Sequence, residues 1–171
     1  MLFSQNIFFF QEKSTASCVD MNKGTDYNKT NVLKGAMVMI LEGFGLLVED
    51  MAAMIRFYRD VLGFEITEPE NAENVYLKKD GVLFLLYRRK DFEKMTGHGY
   101  EYLKGLNGHY EIAMKVDSFE EVDKTFAEVT ARGAVAVMAP ETMPWGQRTC
   151  YIADPEGNLL EIGSFGDNAV L

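Results

Sequence analysis

The sequence predicts an α+β domain made of two tandem βαβββ modules, and three observations carry that expectation. The order strand, helix, strand, strand, strand can be read twice between Ile40 and Phe165. Equivalent positions recur at slowly growing separations: Val48 and Val116 are 68 residues apart, Gly63 and Gly133 are 70, and Gly81 and Gly157 are 76. An internal duplication with loop insertions in its second copy produces such a drift. Each copy also closes with turn residues between two apolar runs, Asp80-Gly81 in the first and Asp154-Pro155-Glu156-Gly157 in the second, a strong hairpin signal.

The elements follow in order. Ile40 to Val48 reads as a strand, after which Asp50 offers a side-chain oxygen to cap a helix. Met51, Met54, Ile55, Tyr58, Val61 and Leu62 come at helical spacing, and Gly63 stands at the stop. Strands at Phe64 to Thr67, Val75 to Lys79 and Val82 to Arg89 complete the first module. A 19-residue connection, Lys90 to Gly108, leads to the second module. The second module opens with a strand at Tyr110 to Val116 and a helix whose start, Ser118 with Glu121, spells a capping box. Phe119, Val122, Phe126 and Val129 form its apolar stripe and Gly133 ends it. Strands at Ala134 to Met138, Arg148 to Ile152 and Asn158 to Phe165 follow. The expected organisation is a flexible extension at 1–36 and a domain at 37–171, with modules at about 38–89 and 109–166 joined by a linker at 90–108.

Composition narrows the function classes. The chain has 171 residues, 47% of them apolar, which excludes a disordered or collagen-like protein. Its 26 acidic against 17 basic residues give a net charge of -9. With no cluster of Lys and Arg, it is not expected to bind nucleic acid, because phosphate contacts need one. Four lysines against three acids leave the first 36 residues at +1, so the acidity belongs to the folded body. No apolar run reaches the 18 residues expected of a membrane span. Only two cysteines, Cys18 and Cys150, argue for a reducing, cytoplasmic setting. Only two histidines exclude a His-rich metal site.

Two segments resemble a known family. They are VEDMAAMIRFYRDVLGF, Val48 to Phe64, and PWGQRTCYIADPEGNLLE, Pro144 to Glu161. Both are similar to the vicinal oxygen chelate superfamily of glyoxalase I, bleomycin resistance proteins and extradiol dioxygenases. The second is the more specific, through Asp154-Pro155-Glu156-Gly157-Asn158 followed by an apolar pair and Glu161. The resemblance implies sheets curled around an open cleft, a homodimer, and in metal-dependent members four cleft ligands, one from the first and one from the last strand of each module. Those positions fall on Glu111 and Glu161 in the second module and on Gly43 and Leu85 in the first, and neither of the latter can coordinate through its side chain. His109, on the same strand face as Glu111, is a candidate substitute. A divalent metal (Zn, Ni, Mn or Fe) would therefore have Glu111, Glu161 and His109 at most. Two carboxylates alone hold such an ion weakly.

Alternation gives a separate reading of the cleft face. Phe44, Leu46 and Val48, then Ile112, Met114 and Val116, then Leu160 and Ile162 would face the helices. Gly43, Gly45 and Leu47, then Glu111, Ala113 and Lys115, then Glu161 and Gly163 would face the cleft. Its glycines are explained either by a ligand's close approach or by the curl of the sheet. Glu111 and Glu161, pointing into one cleft, are candidates for acid and base or for a clamp on a cationic ligand. Alternatively, one of them pairs with Arg148 or Lys115. Tyr87, Trp145, Tyr151, Tyr100 and Tyr102 are candidate aromatic walls, and Arg148 is a candidate ligand contact. Cys150 is expected to be a small buried apolar residue. Two functions remain open. One is a protein binding a small organic ligand, of cationic character, without a complete metal site. The other is a metal-dependent lyase or isomerase of the glyoxalase I type using Glu111 and Glu161.

Overall fold

The computed structural model describes residues 41–166. The chain divides into Met1–Ile40 and Leu41–Leu171, so the expected extension, Cys18 and the strand start at Ile40 lie outside the described residues. Within them the architecture is α+β, with one mixed sheet per module. No described helix is long and apolar enough to cross a membrane.

The first module holds β1 (Gly43–Val48), α1 (Met51–Arg56), β2 (Asn74–Lys79) and β3 (Val82–Arg88). Asp50 caps α1 as expected, its carboxylate accepting from Ala53 N at 2.9 Å. The expected single helix instead changes pitch at its end, where Phe57–Val61 form a π-helical turn. Asp80 and Gly81 both have positive φ, 51° and 86°, and turn β2 back on β3. That is the hairpin geometry this dipeptide favours. The sheet order is β1-β3-β2, with β1 parallel to β3.

The expected strand at Phe64 to Thr67 does not form; the chain there pairs with no sheet. Its alternation has another cause. Phe64 and Ile66 are 7% and 5% exposed and belong to the core, Phe64 packing edge-on against Phe84 at 5.4 Å. The segment is held by burial of alternate side chains and not by a ladder.

The linker is also more ordered than its sequence suggested. It begins with α2 (Arg89–Thr96), and the next strand, β4 (Asn107–Lys115), starts three residues before Tyr110. α3 (Phe119–Ala131), β5 (Val135–Thr142), β6 (Arg148–Ala153) and β7 (Asn158–Ser164) complete the second module in the order β4-β7-β6-β5. Ser118 Oγ accepts from Glu121 N at 3.2 Å, while the Glu121 carboxylate accepts from Asp117 N at 2.9 Å, one residue before the expected partner.

One apolar core runs under both modules. Leu46, Val48, Met54, Ile55, Leu86, Val122, Ile152, Leu160 and Ile162 are all at most 2% exposed. At the seam, the rings of Phe44 and Tyr110 meet edge to face at 5.3 Å. Tyr58 and Asp154 meet across it too, the Tyr58 hydroxyl donating to Asp154 Oδ2 at 3.2 Å. The buried Asp154 carboxylate also accepts from Glu156 N, Asn158 N and Asn158 Nδ2 at 2.7–2.9 Å. Asn158 Oδ1 in turn accepts from the Tyr110 hydroxyl at 2.5 Å. A carboxylate this deeply buried is tolerated because donors satisfy it.

Candidate functional site

The site is built on the face of the four-stranded sheet that turns away from α3. β7 lies between β4 and β6, and the register sets Ala113, Glu161 and Tyr151 in one row across the three strands. Glu111 pairs with Leu159, one step along, so it is the diagonal neighbour of Glu161. Diagonal neighbours lie about 7–8 Å apart, within reach of long side chains.

Glu161 is anchored on one oxygen. Its Oε1 accepts from Thr149 Oγ1 at 2.8 Å and from Gln147 Nε2 at 3.1 Å. Gln147 passes the restraint outward, since its own Oε1 accepts from Trp145 Nε1 at 3.0 Å. The Trp145 ring is 64% exposed, an amphipathic surface held in place by its one polar atom. Tyr151 completes the group. Burial, a hydrogen bond to Glu111 and the negative charges of Glu161 and Glu111 push its hydroxyl well above the usual tyrosine range, so it stays a neutral donor.

The glycines expected to line the cleft have protein neighbours in both sheets. A Cβ on Gly163 would stand 2.6 Å from Gln147 Nε2, so its smallness makes room for the residue that orients Glu161. A Cβ on Gly43 would stand 2.5 Å from the Leu83 carbonyl oxygen. At both positions the close approach comes from the chain itself.

Other sequence-derived candidates are placed elsewhere. Arg148 does not meet Glu161: its guanidinium lies 2.6 Å from Asp123 on α3 and donates to the Thr142 hydroxyl at 3.1 Å. The alternation of β6 explains this, because Arg148 shares the helix-facing side with Cys150 and Ile152, leaving Thr149 and Tyr151 opposite. That parity was available in the sequence, and it also points to Thr149, which was not among the candidates. Gln147 lies before the strand, where no period could mark it. Tyr87 belongs to the smaller sheet and packs edge-on against Phe92 of α2 at 5.8 Å. Tyr100 and Tyr102 sit in the linker, Tyr102 beneath the Arg89 guanidinium at 4.3 Å. Cys150 is fully buried as expected, and burial pushes its thiol up to about 11.

A divalent metal is poorly served by these donors. Gly43 and Leu85 offer no ligating side chain. His109 is exposed at a register break of β4, its amide turned to Asn107 Oδ1 at 3.0 Å. Among the described residues no three His, Cys, Asp or Glu side chains gather closely enough to hold an ion. The residues present do not fit the four-ligand arrangement of metal-dependent relatives.

Comparison with known proteins agrees with this architecture. Residues 40–162 match the model of the glyoxalase/bleomycin resistance protein/dioxygenase superfamily. An uncharacterized Bacillus subtilis protein, YraH, is 30% identical over 120 residues, spanning 68% of this chain and 91% of its own. A glyoxalase/bleomycin resistance protein/dioxygenase from Nocardioides superposes with a TM-score of 0.66 at 21% identity, covering 78% of this chain and 88% of that one. A lactoylglutathione lyase from Agrobacterium tumefaciens superposes with a TM-score of 0.59 at 24% identity, covering 75% and 95%. At such identities the two structures speak to fold and not to reaction.

Proposed function

The chain belongs to the glyoxalase/bleomycin resistance protein/dioxygenase superfamily, and we propose that within it this protein binds a small organic cation on the Glu161 face of its four-stranded sheet. Glu161 and Glu111 supply the negative charge, Tyr151 a neutral hydroxyl between them, and Trp145 an aromatic surface for cation–π contact.

One observation carries this reading. Among the described residues, neither Glu111 nor Glu161 has an ion-pair partner, whereas Arg148, Arg89 and Arg88 all do. Two carboxylates directed to one face, neither paired with a protein cation, favour a positively charged ligand. The neutral donors on Glu161 orient it without cancelling its charge. A homodimer forms part of the proposal, a second copy walling the open sheet face, in the cytoplasm. Light scattering on the eluting protein tests the dimer.

Calorimetric titration with a panel of aromatic amines and quaternary ammonium compounds tests the ligand class. The expected result is one site per chain, weakened about tenfold or more by Glu161→Gln and about threefold by Trp145→Ala, the loss of a charge partner and of a cation–π contact. Binding only of neutral or anionic compounds would overturn it. So would a stoichiometric divalent metal in the purified protein that is lost in Glu161→Gln, which would favour a lyase or isomerase.

A further inference from the structure

We infer that the protein has a second binding site, for a small amphipathic monoanion such as an aryl or alkyl carboxylate, in an apolar hollow between the modules along the β4 edge of the four-stranded sheet. The hollow measures about 690 Å³ and is walled by Phe44, Phe64 and Phe84 of the first module and Ile112, Met114 and Val129 of the second. Consecutive residues of β4 from Glu111 to Val116 border it, so the hollow follows the edge of the four-stranded sheet, with Ile112 and Met114 on the helix-bearing side of the strand and Glu111, Ala113 and Lys115 on the other. It shares Glu111 with the site proposed for a cation, but not Glu161, Tyr151 or Trp145.

Volume and lining favour a small molecule. Interiors pack to a density that leaves few voids larger than a water molecule. A hollow of this volume lies within the roughly 300–1,000 Å³ typical of ligand pockets, which are mostly apolar with a few polar groups. Phe64 and Phe84 present an edge-to-face pair to it, with ring centroids 5.4 Å apart.

Charge at the rim selects the polar end. Two ammonium groups, Lys79 and Lys115, and two carboxylates, Asp80 and Glu111, border the hollow. Lys79 is paired with Asp80 at 2.5 Å, and the Glu111 carboxylate is drawn by its hydrogen bond to Tyr151 toward the Glu161 site, where its charge is used. Lys115 is left, among the described residues, without an ion-pair partner. An apolar body inside and one negative group on Lys115 match the hollow in both respects.

The test is made on the full chain, with 8-anilinonaphthalene-1-sulfonate as a fluorescent probe and decanoate and decanol as competitors. One equivalent of probe is expected to bind with enhanced emission and to be displaced by both competitors. Lys115→Glu is expected to weaken decanoate about fivefold, the scale of a rim charge, while leaving decanol within about twofold. Thr125→Trp, which fills the hollow from α3, is expected to abolish binding of all three. If that variant fails to fold by circular dichroism, Val129→Phe takes its place. The proposal is overturned if the wild-type chain shows no saturable 1:1 binding. It is overturned equally if Lys115→Glu affects decanoate and decanol alike, or if a folded filled variant still binds the probe.

Discussion

Arg89 and Glu156 form a 2.5 Å ion pair that joins the linker to the last hairpin of the second module, with side chains only 18% and 11% exposed. The other Glu156 oxygen accepts from the amides of Glu49 and Asp50 at 2.7 and 2.9 Å, and Arg89 Nε donates to the Leu47 carbonyl at 3.0 Å. Two side chains thus tie the end of β1, the start of α1, α2 and the β6–β7 turn into one junction.

Glu156→Ala is expected to cost about 2–4 kcal/mol, because it strands a largely buried guanidinium and two amides at once. Thermal denaturation followed by circular dichroism checks this, with a fall in Tm on the order of 10 °C. A loss below 1 kcal/mol would mean that the junction is solvated and adds little.

Gly163→Ala separates positioning from stability. The added methyl meets the flexible end of Gln147, which can move aside, so the stability cost is expected to stay near about 1 kcal/mol. The displaced Gln147 releases both Glu161 and Trp145. Emission of the single tryptophan should then shift, and affinity for a cationic ligand should fall about three- to tenfold, the scale of one hydrogen bond. An unchanged Trp145 spectrum would break the proposed link.

Stability should fall at alkaline pH through Tyr58. Burial first, then the Asp154 charge and the hydrogen bond to it, hold its ionisation well above 10 in the folded chain. Above about pH 10 the unfolded tyrosine loses its proton while the folded one keeps it. The unfolded state then binds fewer protons, and stability declines with rising pH by about 1.4 kcal/mol per unit for this group. Urea melts between pH 9 and 11 should show a shallower decline in Tyr58→Phe, alongside a loss of about 1 kcal/mol at neutral pH for the missing hydrogen bond.

Cys150 should be chemically silent in the native protein. Its side chain is fully buried, and a thiol pushed up to about 11 supplies little thiolate at neutral pH. In a Cys18→Ser background, Ellman's reagent is expected to find less than about 0.1 thiol per folded chain and one in denaturant. Rapid native labelling would show that β6 opens locally.

Much of the scaffold was legible because it depends on local pattern. Alternation and helical spacing mark core faces, and Asp50, Ser118 and the Asp80-Gly81 pair act on their immediate neighbours. The same local signal misread Phe64 to Thr67, since two buried side chains alternate identically whether or not a neighbouring strand supplies hydrogen bonds. The linker helix escaped notice because α2, Arg89–Thr96, is short, carries only Phe92 and Met95 as apolar side chains and buries none of its residues.

The sequence by itself determined the family, the paired modules and the presence of Glu111 and Glu161 on one sheet face, because side-chain parity along a strand is a local property. Only the tertiary structure decided what those carboxylates touch. Arg148 goes to Asp123 on α3, while Gln147 and Thr149 reach Glu161 and Tyr151 bridges toward Glu111. Such partners come from different strands, and their meeting depends on register and on the packing of helix against sheet, which no single segment encodes.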